Sequence, residues 1–184
     1  MTYYVSLKWT AIIIGLLCLA GHLPPAIAPA RFIPLLKGLP RNYPLGAVLM
    51  LLATLWFVVL TGMMDLGEIS NVRLQLMTVW AVAGVLVVIF VPGFLAARGL
   101  GCLLLLAATV VLDAAFLVMT PWRYVMTLLA YYWVISGMVL VYSPHLWRDA
   151  ITYATATPQR LRLFSWPGAI FGIVLIALGI FVYP

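Results

Sequence analysis

Apolar residues run through this chain in six stretches, and charged residues mark the gaps. The runs lie between Lys8 and Arg31, Arg41 and Asp65, Arg73 and Arg98, Arg98 and Arg123, Arg123 and Arg148, and beyond Arg162. Each is on the order of 22–24 residues, enough for a helix to cross a hydrocarbon core about 30 Å thick. Only the fourth run is interrupted, by Asp113. The pattern predicts an all-α, polytopic membrane bundle forming one domain over 1–184. Its six transmembrane helices fall at roughly 9–28, 44–64, 74–95, 99–120, 123–143 and 165–183.

The last stretch changes period before it enters the membrane. Ser143-Pro144 suits a helix start, with serine at the cap and proline at the first position, where its missing N–H is no loss. Trp147, Ala150, Ile151 and Ala154 then recur at three- and four-residue steps, with His145, Arg148, Asp149, Thr152 and Thr155 opposite. This predicts an interfacial amphipathic helix over 144–157, ended by Pro158. Arg160 and Arg162 follow, and no charge appears from Leu163 onward. Gly168, Gly172 and Gly179 share one side of the last span, where a neighbouring helix can approach closely.

Pro144, Trp147, Arg148, Pro158, Leu161, Arg162, Gly168 and Gly172 follow the order found in one kind of small membrane protein. There a span ends in proline, an aromatic-Arg interfacial segment and Pro-x-x-x-Leu-Arg follow, and a Gly-rich span closes the chain. Residues 143–184 thus resemble the second half of two-helix inner-membrane proteins of the YjeT type. Extra aromatics and Pro167 before the glycine depart from that order. The resemblance implies a topology and no activity.

Composition agrees with the pattern: 66% of residues are hydrophobic and 8% charged, too little polar surface for a soluble domain. The net charge of +6 does not point to nucleic acid, because the cations sit singly between spans and form no basic stripe. Arg31, Lys37, Arg41, Arg98, Arg148, Arg160 and Arg162 follow odd-numbered spans, while Lys8, Arg73 and Arg123 lie on the other side. The positive-inside bias therefore predicts that the seven face the cytosol and lipid headgroups, with both termini outside, in a bacterial inner membrane. The first span imitates a signal peptide through Lys8 and Ala26-Ile27-Ala28. Pro29 after the cut and Leu17 before Cys18 argue that it stays.

The connections after odd spans share proline, then arginine, then glycine. They read Pro29, Arg31, Pro40, Arg41 and Gly46; Pro92, Arg98 and Gly101; and Pro144, Arg148, Pro158, Arg160 and Gly168. This order fits three tandem helical hairpins over 9–64, 74–120 and 123–183. Inner loops in general also favour these residue types.

Asp113 is the foremost candidate for chemistry. A mid-span carboxylate is costly unless it faces protein or water. Counting from the Thr120-Pro121-Trp122 turn sets it level with Ala130, Tyr131 and Tyr132 and makes a tyrosine hydroxyl its expected partner. It could serve as a proton site, a ligand contact or a structural hydrogen bond. His22 and His145, at the inner ends of spans one and five, are the only pair available for bis-histidine haem ligation. Motifs for a serine nucleophile, a metal or a phosphate are absent from the sequence, so no catalytic residue, metal or cofactor is expected.

The expected function is a non-enzymatic integral membrane subunit or accessory scaffold of a larger complex. Its partners would be membrane lipids and other integral membrane proteins or a second copy, and not nucleic acid. The alternatives are a small proton-coupled carrier or channel using Asp113, and a haem- or pigment-carrying subunit of an electron-transfer complex.

Overall fold

The computed structural model describes residues 5–116 and 118–183. Eight α-helices account for most of them: α1 Leu7–Ile27, α2 Pro29–Gly38, α3 Tyr43–Met63, α4 Arg73–Phe90, α5 Leu95–Phe116, α6 Arg123–Tyr142, α7 Pro144–Ala154 and α8 Pro158–Phe181. No strand occurs among the described residues. Helices α1, α3, α4, α5, α6 and α8 are long and apolar enough to cross a membrane, so the chain is an all-α, multi-pass membrane protein.

Four boundaries differ from the sequence pattern, most for a local reason. Helix α5 starts at Leu95, so Arg98 lies in its first turn and not in the preceding loop. The Pro92-Gly93 turn delivers Phe94 with φ of 55°, a left-handed value uncommon for a side-chain-bearing residue. The Phe94 carbonyl then accepts from the N–H groups of Ala97 and Arg98, opening the helix. Helix α8 starts at Pro158, with the Thr157 hydroxyl accepting from the Arg160 N–H, so Arg160 and Arg162 ride on the spanning helix. The amphipathic helix α7 stops at Ala154, before Pro158. The third spanning helix, α4, ends at Phe90, short of the 95 expected.

Helix α2 was not anticipated. Pro29 occupies its first turn, and Phe32, Ile33 and Leu36 are half-buried while Arg31 and Lys37 stay exposed. The helical spacing is present in the sequence, but Pro34 inside it reads as a breaker.

The packing order is not the chain order. Helix α1 lies along α8; α5 is flanked by α6 and α3; α4 packs on α3. The expected hairpins 9–64, 74–120 and 123–183 are therefore not packed pairs. Extended contact falls instead across the opposite connections, α3 with α4 and α5 with α6, and between the first and last spans. Glycines set these crossings. A Cβ on Gly15 would sit 2.7 Å from the Gly172 carbonyl oxygen, and one on Gly172 would sit 2.8 Å from that of Gly15. Gly101 and Gly137 stand in the same relation across α5 and α6, at 2.8 Å each way. In a bilayer, lipid tails are as apolar as leucine, so close backbone approach supplies the packing energy that association needs.

Ala11 and Ile14 of α1, Val111 of α5, Met126 and Ala130 of α6, and Leu175 of α8 form the buried core. It lies toward the end of the bundle where α1 begins and α8 finishes. Tyr183 closes that end: its ring is buried and its hydroxyl donates 2.8 Å to the Trp122 carbonyl. Tyr183→Phe is expected to lower stability by about 1 kcal/mol, the usual net value of one such bond, read as a fall in the thermal midpoint in detergent. Burial also pushes the Tyr183 phenol above its ordinary 10.0. The folded state thus holds that proton longer than the unfolded one. The stabilisation is complete below pH 10 and is lost as pH rises through the folded value.

Candidate functional site

Polar side chains concentrate at the end of the bundle that carries α2 and α7, and Asp113 stands singly in the last turn of α5. At that end of the bundle, α7 packs against α2, α5, α6 and α8, and α2 against α1 and α8. The connections after the odd-numbered spans thus converge on one face, with Arg31, Lys37, Arg41, Arg98, Arg148, Arg160 and Arg162. Arg31, Lys37, Arg41, Arg160 and Arg162 are exposed; Arg98 and Arg148 are half-buried.

Aromatic rings hold two of these cations in place. The Arg148 guanidinium lies 5.8 Å from the Phe94 ring centre, tying α7 to the start of α5. Arg148 also pairs with Asp149 at 2.7 Å, an exposed ion pair between chain neighbours that contributes little stability. Arg160 sits 5.0 Å from the Tyr153 ring, which meets Phe164 edge-on at 6.0 Å. Helix α7 turns one side inward, with Trp147, Ile151 and Ala154 half-buried and Asp149, Thr152 and Tyr153 exposed. But Ala150, expected on the inward side, is exposed, and Thr155, expected opposite, is buried with its hydroxyl on the Ile151 carbonyl.

The cations at the opposite end have a different job. Arg73 donates to the carbonyls of Gly62 at 3.1 Å and Met64 at 3.0 Å, at the C-terminal end of α3. Arg123 donates 3.0 Å to the Val118 carbonyl, just beyond α5. The last carbonyls of a helix lack intrahelical donors and carry partial negative charge, so both arginines act as C-terminal caps from the next helix. Sequence reasoning counted them as loop charges. The available signal was position: each is the first residue of a helix that follows a short connection after an even-numbered span.

Asp113 lies in the last turn of α5, not near mid-span, because the helix ends at Phe116. It is half-buried and has a polar partner. The expected pairing with Tyr131 or Tyr132 does not form. Their side chains are 57% and 66% exposed, and neither hydroxyl has a hydrogen-bond partner among the described residues. Register explains this. With Gly101 opposite Gly137 on antiparallel helices, stepping equally from each brings Asp113 to the level of Val125, more than a turn from Tyr131. Helix α6 turns Met126, Ala130 and Gly137 inward, which points Tyr131 and Tyr132 away. Tyr131→Phe and Tyr132→Phe are expected to change stability by less than about 0.5 kcal/mol in equilibrium unfolding.

His22 and Gly168 explain each other. The His22 ring packs where a Cβ on Gly168 would be, and its Nδ1 bonds 2.9 Å to the Cys18 carbonyl of its own helix, so Nδ1 carries the hydrogen. His145 is exposed in the first turn of α7. Among the described residues no three His, Cys, Asp or Glu side chains cluster as metal ligands. Gly168, Gly172 and Gly179 all face α1: Gly172 meets Gly15 and Cys18, and Gly179 meets Lys8 and Ile12.

No protein-family model matches the chain, and neither a curated protein nor a solved structure does.

Proposed function

We propose that the chain is a non-enzymatic integral membrane subunit or accessory protein of a larger membrane assembly, with α4 as the helix that meets its partner. The observation that carries this is the position of α4. It packs mainly along α3, and 11% of its spanning segment is buried, against 39% for α5 and 33% for α1 and α8. A helix so little used by its own fold is nonetheless firmly fixed. The Thr54 side chain fills the space at Gly84, Phe57 meets Trp80 edge-on at 5.1 Å, and the Tyr43 hydroxyl reaches the Val88 carbonyl at 3.3 Å. Its outer side, with Val79, Val82 and Leu86, is presented on a rigid lobe. The carrier reading would need Asp113 within a polar path. The last turn of α5 puts it near headgroup depth, and the clefts beside α4 are apolar.

A photoreactive residue at Val79 or Val82, activated in native membranes, tests this. A discrete adduct with another membrane protein or a second copy supports it. Adducts with lipid alone overturn it.

The orientation we propose puts α2, α7 and the seven cations in the cytosol of a bacterial inner membrane, with both termini outside. Support comes from the division of labour among the cations: Arg73 and Arg123 are engaged by helix carbonyls, whereas five of the seven opposite them are exposed. A phosphatase fused after Tyr183 is expected to be active, since that enzyme works only outside the cytosol. A fusion active only as a cytosolic reporter at that position refutes the orientation.

A further inference from the structure

Helices α3, α4 and α5 do not close on one another. Helix α3 forms a floor, α4 and α5 the walls, and between them lies an open cleft of about 380 Å³. Met50 and Phe57 line the floor, Trp80 and Val87 one wall, and Cys102 and Leu106 the other. Sulfur, aromatic and aliphatic groups dominate this surface, and Thr54, the polar residue among them, spends its hydroxyl on the Met50 carbonyl at 2.8 Å.

Arg98 does not line the cleft but lies one helical turn beyond its lining, toward the start of α5. On α5 it precedes Cys102 by one helical turn and Leu105 by two, so it lies on the stripe that forms the wall. Its direction follows, because helical side chains lean toward the N-terminus, here the end that carries the cation-rich connections. It is half-buried, and among the described residues its guanidinium has no hydrogen-bond or ion-pair partner. Its neighbours in charge are the cations of the same face, with Asp149 already held by Arg148. An arginine with an apolar stem and an unengaged head at headgroup depth calls for an oxyanion such as phosphate, two of whose oxygens can meet the planar guanidinium fork.

Shape and the neighbouring cation point to the occupant. The wall from Trp80 to Val87 is about 10 Å long, and the cleft of about 380 Å³ is narrow and apolar. A single hydrocarbon chain fits. From Arg98 to Leu106 the helix rises about 12 Å, close to the roughly 15 Å depth of one leaflet. We propose that the α3–α4–α5 cleft holds one acyl chain of a phospholipid from the leaflet on the α2–α7 side, with the phosphate bound by Arg98. This site does not depend on what meets the outer side of α4.

The test uses the full chain purified in mild detergent. Native mass spectrometry compares retained phosphatidylglycerol with diacylglycerol of the same chains. The phospholipid is expected to be held about 10-fold more tightly, the worth of one charge-assisted contact. Arg98→Gln should abolish that preference and Arg98→Lys should keep most of it. Ala83→Phe, which narrows the cleft from α4, should weaken both lipids. Excess inorganic phosphate should not displace the lipid. On the unaltered chain, a diazirine in the acyl chain of phosphatidylglycerol should label α4 and α5 within the cleft. Equal retention by wild type and Arg98→Gln overturns the proposal. So does displacement by inorganic phosphate, which would make the site one for a free anion. Labelling confined to α1, α6 and α8 overturns it without any substitution.

Discussion

Gly172→Leu is expected to force α1 and α8 apart and to destabilise the protein by about 1–3 kcal/mol or more. The space simply is not there. A Cβ at this position already sits 2.8 Å from the Gly15 carbonyl oxygen and 3.1 Å from the Cys18 Cβ, and neither is a flexible side-chain end. Backbone must move, and the crossing from Gly168 to Gly179 loosens with it. Gly172→Ala should cost less and keep the same sign. Gly21→Ala on α1 is the control, since nothing lies within 4 Å of its added methyl. It should be neutral or stabilising by up to about 1 kcal/mol through helix propensity. Thermal unfolding of the three variants in one detergent checks the order. Equal midpoints for Gly172→Leu and wild type would show that α1 and α8 do not pack as described.

Arg73→Leu is expected to free α4 from α3 at the end where α3 finishes and α4 begins. It removes two donors, at 3.1 and 3.0 Å, from the Gly62 and Met64 carbonyls, and leaves those acceptors without their partner. Hydrogen bonds from a charged donor contribute about 1.5–3 kcal/mol each when buried, and because one of the two is exposed and the other part-buried the expected total is roughly 2 kcal/mol. Arg73→Lys should recover part of it, because one ammonium cannot present the two-pronged donor set. Hydrogen exchange separates this effect from global unfolding. Protection should fall first in the 60–75 segment and in the first turns of α4, while α1 and α8 keep theirs. Unchanged exchange there would mean that the arginine cap carries no weight.

The six spans were legible because hydrocarbon excludes charge, so ten cations and four acids spread over 184 residues act as a ruler. The ruler measures only to the nearest charge. Val118 and Met119 are as apolar as the helix before them yet lie outside α5, which is why Asp113 read as deeper than it is. Arg98 misled the other way: it looked like a loop residue and is helical. Partner choice was illegible for a different reason. Gly168, Gly172 and Gly179 announce a close neighbour, but every span is apolar, and only the matching Gly15 on α1 identifies which. The residues of the cleft carry no motif at all. Met50, Trp80 and Cys102 come together only because α4 leans on α3 and not on α5.

The pairing of α1 with α8 also sets a timetable for synthesis. At about 5–20 residues per second, Gly172 is made roughly 8–30 s after Gly15. Through that interval four other spans enter the membrane while α1 waits with its glycine face uncovered. Lipid, the insertion machinery or a neighbouring helix must cover that face in the meantime, and the last span must then displace the occupant. Assembly of this bundle therefore ends with an exchange at the first helix, and a ribosome stalled before α8 leaves that helix open to other partners.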